Sequence, residues 1–201
     1  ETSQWKAKWK TDGGGVILNQ CPHNLDLLQW ICGMPSEIQA FCYEGKYHPI
    51  EVEDEATVFL EWESGATGVF TTSTGEAAGI NRFEITFENA YLVCENNQLK
   101  VYELKKSESE LMQEKNDFFS RPAGDWKTVS VEEGSGQYEE LLEKFACGEL
   151  IACGLDGLKN LIFCNAIYLS SWENKKIHLP FDSNGEQEKS FEAALKRKAG
   201  Y

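Results

Sequence analysis

The chain has 201 residues, of which 41% are hydrophobic and 12% aromatic, and this length and composition predict a single domain over residues 1–201. The net charge of −14 argues against nucleic acid as a partner, because a phosphate backbone would be repelled. No apolar run approaches the roughly 20 residues of a transmembrane helix, so no membrane span is expected. Seven cysteines without a Cys-x-x-Cys pair are typical of free thiols, which predicts a cytoplasmic protein.

The segment from residue 13 to residue 33 predicts a functional helix. On an ideal helix one narrow arc of this segment is polar or aromatic, and it carries Asn19, His23, Asp26 and Trp30. The remaining surface is mainly apolar. A histidine and a carboxylate one turn apart on such a helix are unfavourable to bury unless they pair or face a cleft.

The end of this helix is clearly marked, whereas its start is not. Gly33 provides a left-handed cap, and Pro35 blocks continuation. Pro22 cannot donate a backbone hydrogen bond to Leu18. The helix therefore either begins near Pro22 with Cys21 as its cap or is kinked there.

The residue types alone leave three interpretations of His23 and Asp26. The first is a structural pair within a core. The second is a zinc site that includes Cys21, although Cys-x-His lacks the paired thiolate spacing of such sites. The third is a histidine general acid/base held in place by its neighbours.

The glycines at 13–15 do not predict a nucleotide-binding loop. No strand clearly precedes them, no Lys-Ser or Lys-Thr follows, and Gly-x-Gly-x-x-Gly is absent from the sequence. We expect them instead to allow close approach of the backbone to a neighbouring domain or ligand.

The rest of the chain predicts an α+β fold. Alternating or β-branched segments predict strands at 37–43, 56–62, 67–74, 82–87, 91–94, 99–104, 127–131 and 176–179. Helices are predicted at 107–115, 137–147 and 158–172, with a final helix that ends near 198. This order indicates a broad, mostly antiparallel sheet with helices packed on one face. The flat, weakly polar strand at 67–74 suits self-association through the other face.

Motifs along nearly the whole chain resemble one known family. They are KTDGGG at 10–15, NQCPHNLD at 19–26, WICGMP at 30–35, EVEDEA at 51–56, NRFEI at 81–85, the helix at 156–171 and IHLP at 177–180. In this order they resemble the C-terminal domain of the Gfo/Idh/MocA oxidoreductases, which include glucose-fructose oxidoreductase and inositol dehydrogenases. The matches are specific to the family and uninformative about the substrate.

The resemblance implies an activity. In this family an N-terminal Rossmann domain binds NAD or NADP, and hydride passes between a carbon of a sugar or polyol substrate and the nicotinamide. The fingerprint and the Glu-Lys-Pro segment of that domain do not occur in this sequence. We therefore expect the cofactor to bind mainly to an N-terminal domain that is absent here, and the isolated chain to be inactive. The resemblance also implies a homo-oligomer that forms through the sheet.

The resemblance also implies roles for individual residues. His23 matches the catalytic histidine of the family and would exchange the hydroxyl proton of the substrate. Asn19 stands where many members carry a catalytic Asp, so it lacks the charge that raises the pKa of the histidine but retains an amide that orients a hydroxyl. Asp26 is expected to support His23 rather than to act as the base.

The segment before the helix is placed near the sugar by the same resemblance. Trp5, Trp9 and Lys10 are its candidates for substrate binding, through stacking and hydrogen bonds. Domain packing is an equal alternative for the two tryptophans. Among weaker candidates, Arg82 is expected to pair with a carboxylate at the end of the sheet, while His48 lies in a loop and His178 in a late strand.

Two other classes of function remain open. Some relatives use this scaffold for NAD-assisted hydrolysis or elimination of a glycoside, and product analysis alone separates that reaction from simple oxidation. The second class is a non-catalytic oligomerisation module. His23 in a polar ridge favours catalysis over this second class.

Overall fold

The computed structural model describes residues 7–114, 122–130 and 137–200. The described elements, in chain order, are α1 (Trp9–Asp12), α2 (Val16–Asn19), α3 (Pro22–Cys32), β1 (Glu37–Glu44), β2 (Glu53–Glu61), β3 (Thr67–Ser73), β4 (Arg82–Thr86), β5 (Ala90–Glu95), β6 (Gln98–Leu104), α4 (Glu108–Gln113), β7 (Gly124–Val129), α5 (Gln137–Ala146), α6 (Gly154–Glu173), β8 (Ile177–His178) and α7 (Glu186–Ala199). They divide into two compact units. One contains the described chain up to Ala77 and from Leu150 onward, and the other is Ala78–Glu149.

The first unit is a four-stranded antiparallel sheet with α6 packed on one face. The strand order is β3-β2-β1-β8, and Ala40 of β1 lies opposite Val58 of β2. Both side chains are buried with Phe163 and Ile167 of α6 in the hydrophobic core. Because side chains alternate across a strand, every second residue of each strand faces this core.

Helix α6 also satisfies backbone groups at the edge of β1. Strand β8 pairs with Glu37 and Ile38 of β1. Beyond that point the amide of Ala40 donates to Ser170 Oγ, at 2.9 Å, and the amide of Cys42 donates to Ser171 Oγ, also at 2.9 Å. The two serines thus replace a neighbouring strand, since a buried amide without a partner is unfavourable.

The outer face of this sheet carries exposed apolar side chains among polar neighbours. Phe59 of β2 lies opposite Val69 of β3, and these side chains are 39% and 67% exposed. Phe41 of β1 is also among the exposed large hydrophobic residues. These three side chains define what we call the outer sheet face, an apolar surface of the kind that marks interaction sites.

The second unit is an antiparallel sheet in the order β4-β5-β6-β7. The guanidinium of Arg82 contacts Glu84 and lies 3.3 Å from Glu95 Oε2, which confirms the predicted pairing with a carboxylate. Asn96 and Asn97 have φ of 51° and 58°. Asparagine is a common turn residue and tolerates positive φ, so Asn96-Asn97 in the sequence predicts a turn between β5 and β6, and the two consecutive positive φ angles are those of a tight hairpin turn.

The α+β class and the antiparallel pairing are confirmed, but the strands form two sheets. Among the described strands, β3 pairs only with β2, and β4 pairs only with β5. The alternation of side chains indicates which face of a strand is buried but not which strand it pairs with. The division of the strands into two sheets was therefore not predictable from that pattern. Of the predicted strand at 127–131, residue 131 lies outside the described residues. Within the described ranges, no helix has the length and apolar character to cross a membrane.

Candidate functional site

His23 is the second residue of α3, which begins at Pro22 and follows Cys21 directly. The first of the two predicted starts is therefore confirmed. Leu25 and Gln29 of this helix are buried, whereas His23 is exposed, as is Trp30 at 78%. No hydrogen bond or ion pair from the described part of the chain engages the imidazole of His23. A histidine in this setting can accept or donate a proton without first breaking an internal contact.

Asp26 is exposed on the same helix. Its Oδ1 accepts a hydrogen bond from Nε2 of Gln29, at 3.0 Å, so the structural pair of His23 with Asp26 is not formed in the part of the chain that the structure describes. The zinc alternative gains no support either. No group of three or more His, Cys, Asp or Glu side chains in residues 7–114, 122–130 and 137–200 is placed to hold a metal ion, and Cys21 Sγ lies 3.1 Å from Thr72 Oγ1.

Asn19 ends a separate short helix, so the predicted ridge is not continuous. The amides of Gln20 and Cys21 both donate to the carbonyl of Val16, at 3.1 and 3.0 Å, and this closes α2 before Pro22. The side-chain amide of Asn19 donates to the carbonyls of Gly14 and Gly15, at 2.8 and 3.2 Å. In this structure Asn19 therefore ties down the glycine-rich turn.

The glycines do permit a close approach, and the approaching groups belong to this chain. A Cβ atom on Gly14 would lie 2.2 Å from Oη of Tyr168, and a Cβ atom on Gly15 would lie 2.0 Å from the carbonyl oxygen of Glu53. Neither distance is sterically possible. The elements that approach these glycines are thus β2 and α6 of this chain, and not the expected neighbouring domain or ligand.

Glu53 was missed as a functional candidate, although it lies in a motif that carries the family resemblance. Its side chain is fully buried and accepts three hydrogen bonds: from the amides of Gly15 (2.8 Å) and Ile17 (2.9 Å), and from the hydroxyl of Tyr168 (2.8 Å). Burial raises the pKa of Glu53 above its ordinary value, and these donors act in the opposite direction. Burial and the neighbouring carboxylate also raise the pKa of Tyr168. The sequence signal that could have identified Glu53 was a carboxylate at the start of a buried strand.

Asp54, the next residue, organises a loop. Its buried carboxylate accepts hydrogen bonds from the amides of Lys46 (3.0 Å), Tyr47 (2.7 Å) and His48 (3.0 Å). Its Oδ2 also lies 3.4 Å from Nδ1 of His48, and that nitrogen is 3.1 Å from Thr74 Oγ1. Burial alone would raise the pKa of Asp54, but the amides together lower it. His48 is thus held in the loop by a carboxylate.

Trp9 is buried in an aromatic cluster. Its ring meets the rings of Tyr168 and Trp172 edge-on, with centroids 5.4 and 5.3 Å away. Its Nε1 is buried and has no hydrogen-bond partner among the residues described. This environment is the one that the packing alternative describes, and a role of Trp9 in sugar binding stays a prediction. Trp5 lies outside the described residues.

Trp9 and Lys10 both line a cavity of about 700 Å³ between α1 and α7. Leu195 and Lys196 line it from the side of α7. Lys10 itself is exposed. Among the described lining residues, none is a predicted catalytic residue, so the structure does not join this cavity to the exposed face of α3.

Comparison with known proteins identifies similar sequences and folds. The family model of the GFO/IDH/MocA C-terminal domain matches residues 1–93. No curated protein matches the chain.

Several solved structures share the fold. The WlbA dehydrogenase from Chromobacterium violaceum, solved with NADH and UDP-GlcNAcA, is 26% identical with a TM-score of 0.69 over 90% of this chain and 50% of its own. The WlbA dehydrogenase from Bordetella pertussis, solved with the same two ligands, is 24% identical with a TM-score of 0.66 over 90% and 50%. Levoglucosan dehydrogenase, solved with NADH and levoglucosan, is 16% identical with a TM-score of 0.68 over 89% and 54%. The chain thus spans about half the length of these proteins.

Proposed function

Because residues 1–93 match the family model of the GFO/IDH/MocA C-terminal domain and the WlbA dehydrogenases share the fold, we propose that the chain forms the substrate-binding and oligomerisation half of an NAD(P)-dependent oxidoreductase of this family. The reaction is hydride transfer between the cofactor and a sugar, a polyol or a related carbohydrate. The observation that carries this proposal is the exposed, unengaged imidazole of His23 at the start of α3. This position supports a role for the imidazole in exchanging a proton with a substrate once that substrate is bound.

The glycine-rich turn does not fit the pyrophosphate of a dinucleotide. The amide of Gly15 is already bound by the carboxylate of Glu53, and that negative charge would repel a phosphate. We therefore assign cofactor binding to residues outside this chain. The isolated chain should accordingly turn over no substrate, and strong NAD(H) binding to it in calorimetry would contradict this assignment.

His23 has a defined task in the proposed reaction. In the oxidative direction its neutral imidazole accepts the proton of the substrate hydroxyl as that carbon is oxidised, and in the reverse direction the imidazolium returns it. Asp26 lies on the same helix as His23 and is proposed to support His23 in this proton transfer once substrate is bound. Trp9 and Lys10 remain the proposed substrate-binding side chains, together with Trp5.

The substrate class follows from the similar proteins. Their structures contain levoglucosan or UDP-GlcNAcA, which supports a carbohydrate substrate here. The apolar outer sheet face supports a homo-oligomer, and seven free cysteines support a cytoplasmic location.

The test uses the full-length protein with NAD or NADP and a panel that includes levoglucosan, L-sorbose and UDP-GlcNAcA. His23→Ala should lower kcat by about 10²- to 10⁴-fold. His178→Ala is the matched control, because His178 is exposed and lies beside Glu37 at 3.1 Å. An unchanged kcat in correctly folded His23→Ala protein would eliminate the proposed role, and product analysis would separate oxidation from hydrolysis or elimination.

A further inference from the structure

We propose that Glu53 is a positioning residue for the reaction assigned above: its buried carboxylate holds the glycine-rich turn in place, and through that turn it fixes Asn19 and the start of α3. The inference rests on the proposed function, because it concerns the placement of His23. Glu53 itself acts only through the backbone that it binds.

Both oxygens of the Glu53 carboxylate accept hydrogen bonds from the glycine-rich turn and the start of α2. Its Oε2 accepts from the amide of Gly15, and its Oε1 accepts from the amide of Ile17 and the hydroxyl of Tyr168. The two amides belong to the first turn of α2, where backbone donors lack partners within the helix. A carboxylate supplies them with charge-assisted hydrogen bonds, which are stronger than bonds to a neutral acceptor.

The turn is held from its other side as well. The carbonyls of Gly14 and Gly15 accept from Asn19, so the donors of the turn bind Glu53 while its acceptors bind Asn19. The closeness of the backbone to Glu53 and Tyr168 leaves no room for a Cβ atom at either glycine. The turn is therefore constrained by hydrogen bonds and by packing at once.

The constraint continues along the backbone to His23. The amide of Cys21 donates to Val16 in α2, and the carbonyl of Cys21 accepts from Leu25 in α3, both at 3.0 Å. The carbonyl of Pro22 accepts from Nδ2 of Asn160, also at 3.0 Å. Asn160 and Tyr168 both lie on α6, so one helix supports the carboxylate and the residue directly before His23.

A neutral amide cannot reproduce these contacts. In Glu53→Gln the side-chain NH₂ would face a backbone amide or the hydroxyl of Tyr168, so one acceptor position would be replaced by a donor. At least one end of the turn would be released. A displacement of about 1 Å at a catalytic group can lower a rate by about 10²-fold.

The test compares three variants of the full-length enzyme. Glu53→Gln should lower kcat by about 10- to 100-fold with a much smaller change in KM. Glu61→Gln is the matched control, since it makes the same chemical change at the far end of β2. Tyr168→Phe, which removes only the hydroxyl and keeps the ring stacked on Trp172 with centroids 5.4 Å apart, should give a smaller loss of kcat. This variant tests the inference if Glu53→Gln fails to fold.

A double-mutant cycle with His23→Ala separates positioning from a general structural role. If Glu53 acts through His23, Glu53→Gln should change kcat by less than about threefold in the His23→Ala background. A lower melting temperature with an unchanged kcat per folded molecule would overturn the inference, as would equal losses in both backgrounds. If His23→Ala alone leaves kcat unchanged, the proposed function fails first, and the inference fails with it.

Discussion

The hydroxyl of Tyr168 donates a 2.8 Å hydrogen bond to the carboxylate of Glu53, although the two residues are 115 positions apart in the sequence. This bond joins α6 to the start of β2 at the point where the glycine-rich turn passes between them. The turn is thereby enclosed by a side chain from a helix and by the backbone of a strand.

Gly15→Ala should be strongly destabilising. The added Cβ would lie 2.0 Å from the carbonyl oxygen of Glu53, and a backbone atom cannot move away as a flexible side chain can. The φ of Gly15 is −108°, so the penalty comes from contact and not from a left-handed backbone. We expect a loss of at least about 2 kcal/mol in the free energy of unfolding of this chain, measured by urea denaturation.

The control is Gly157→Ala, in the exposed first half of α6. A Cβ at that position meets no atom within 4 Å, so the better helix propensity of alanine should stabilise by about 0.5–1 kcal/mol. Equal effects at the two glycines would contradict the close packing described for Gly15.

Asn19→Asp should destabilise the turn even though many relatives are expected to carry Asp here. The amide of Asn19 donates to two carbonyls, whereas a carboxylate can only accept and would be repelled by both. The expected loss is about 1–2 kcal/mol in the free energy of unfolding. Gln20→Glu, the same chemical change at an exposed neighbour, should have little effect. Greater stability in Asn19→Asp would show that these two hydrogen bonds are not formed in solution.

Local signals in the sequence predicted local structure well. The limits of α3 follow from Pro22 and Gly33, because a proline without an amide donor suits the first turn of a helix and a glycine suits the residue after its end. Gly33 adopts a positive φ of 76°, but its ψ of 172° lies outside the left-handed helical region, so the end of the helix is confirmed and the left-handed cap is not. The turn at Asn96 and Asn97 was located for the same kind of reason, since asparagine tolerates positive φ.

Long-range contacts could not be predicted in this way. The acidic triplet at 53–55 is polar in sequence, yet Glu53 and Asp54 are buried because distant amides surround them. Nothing near Trp9 in sequence indicated its packing against Trp172. The predicted polar ridge is interrupted between Asn19 and His23. The carbonyl of Val16 accepts hydrogen bonds from the amides of Gln20 and Cys21, and this ends α2. The exposed position of His23 followed from its place in the polar part of α3.

Val69→Asp should dissociate the proposed oligomer. Val69 is 67% exposed at the centre of the edge strand β3 and adjoins Phe59 on the outer sheet face. A charge buried in an apolar interface is strongly unfavourable. Light scattering after size-exclusion chromatography of the full-length protein should show a mass reduced to that of the monomer. Leu155→Asp is the control, since Leu155 is 69% exposed and lies on α6, the helix that packs on the opposite face of this sheet. An unchanged mass in Val69→Asp would place the interface elsewhere.

Asp54→Asn should destabilise the chain in a manner that depends on pH. The carboxylate accepts from three amides of the loop at 46–48, and its folded-state pKa is lower than the ordinary value. Such a group stabilises the fold fully above its unfolded pKa, and the contribution disappears as the pH falls through the folded pKa. At neutral pH the loss should be about 1.5–3 kcal/mol in the free energy of unfolding.

The dependence on acid distinguishes this carboxylate from an ordinary packing contact. Urea denaturation of the chain and of Asp54→Asn should give a large difference near neutral pH that shrinks below about pH 4, as the wild-type carboxylate becomes protonated. Asp125→Asn is the control, because Asp125 is exposed and forms only a long ion pair among the described residues, 3.7 Å from Nζ of Lys105. A difference that stays constant from neutral to acid pH would mean that the side chain of Asp54 matters for its shape and not for its charge.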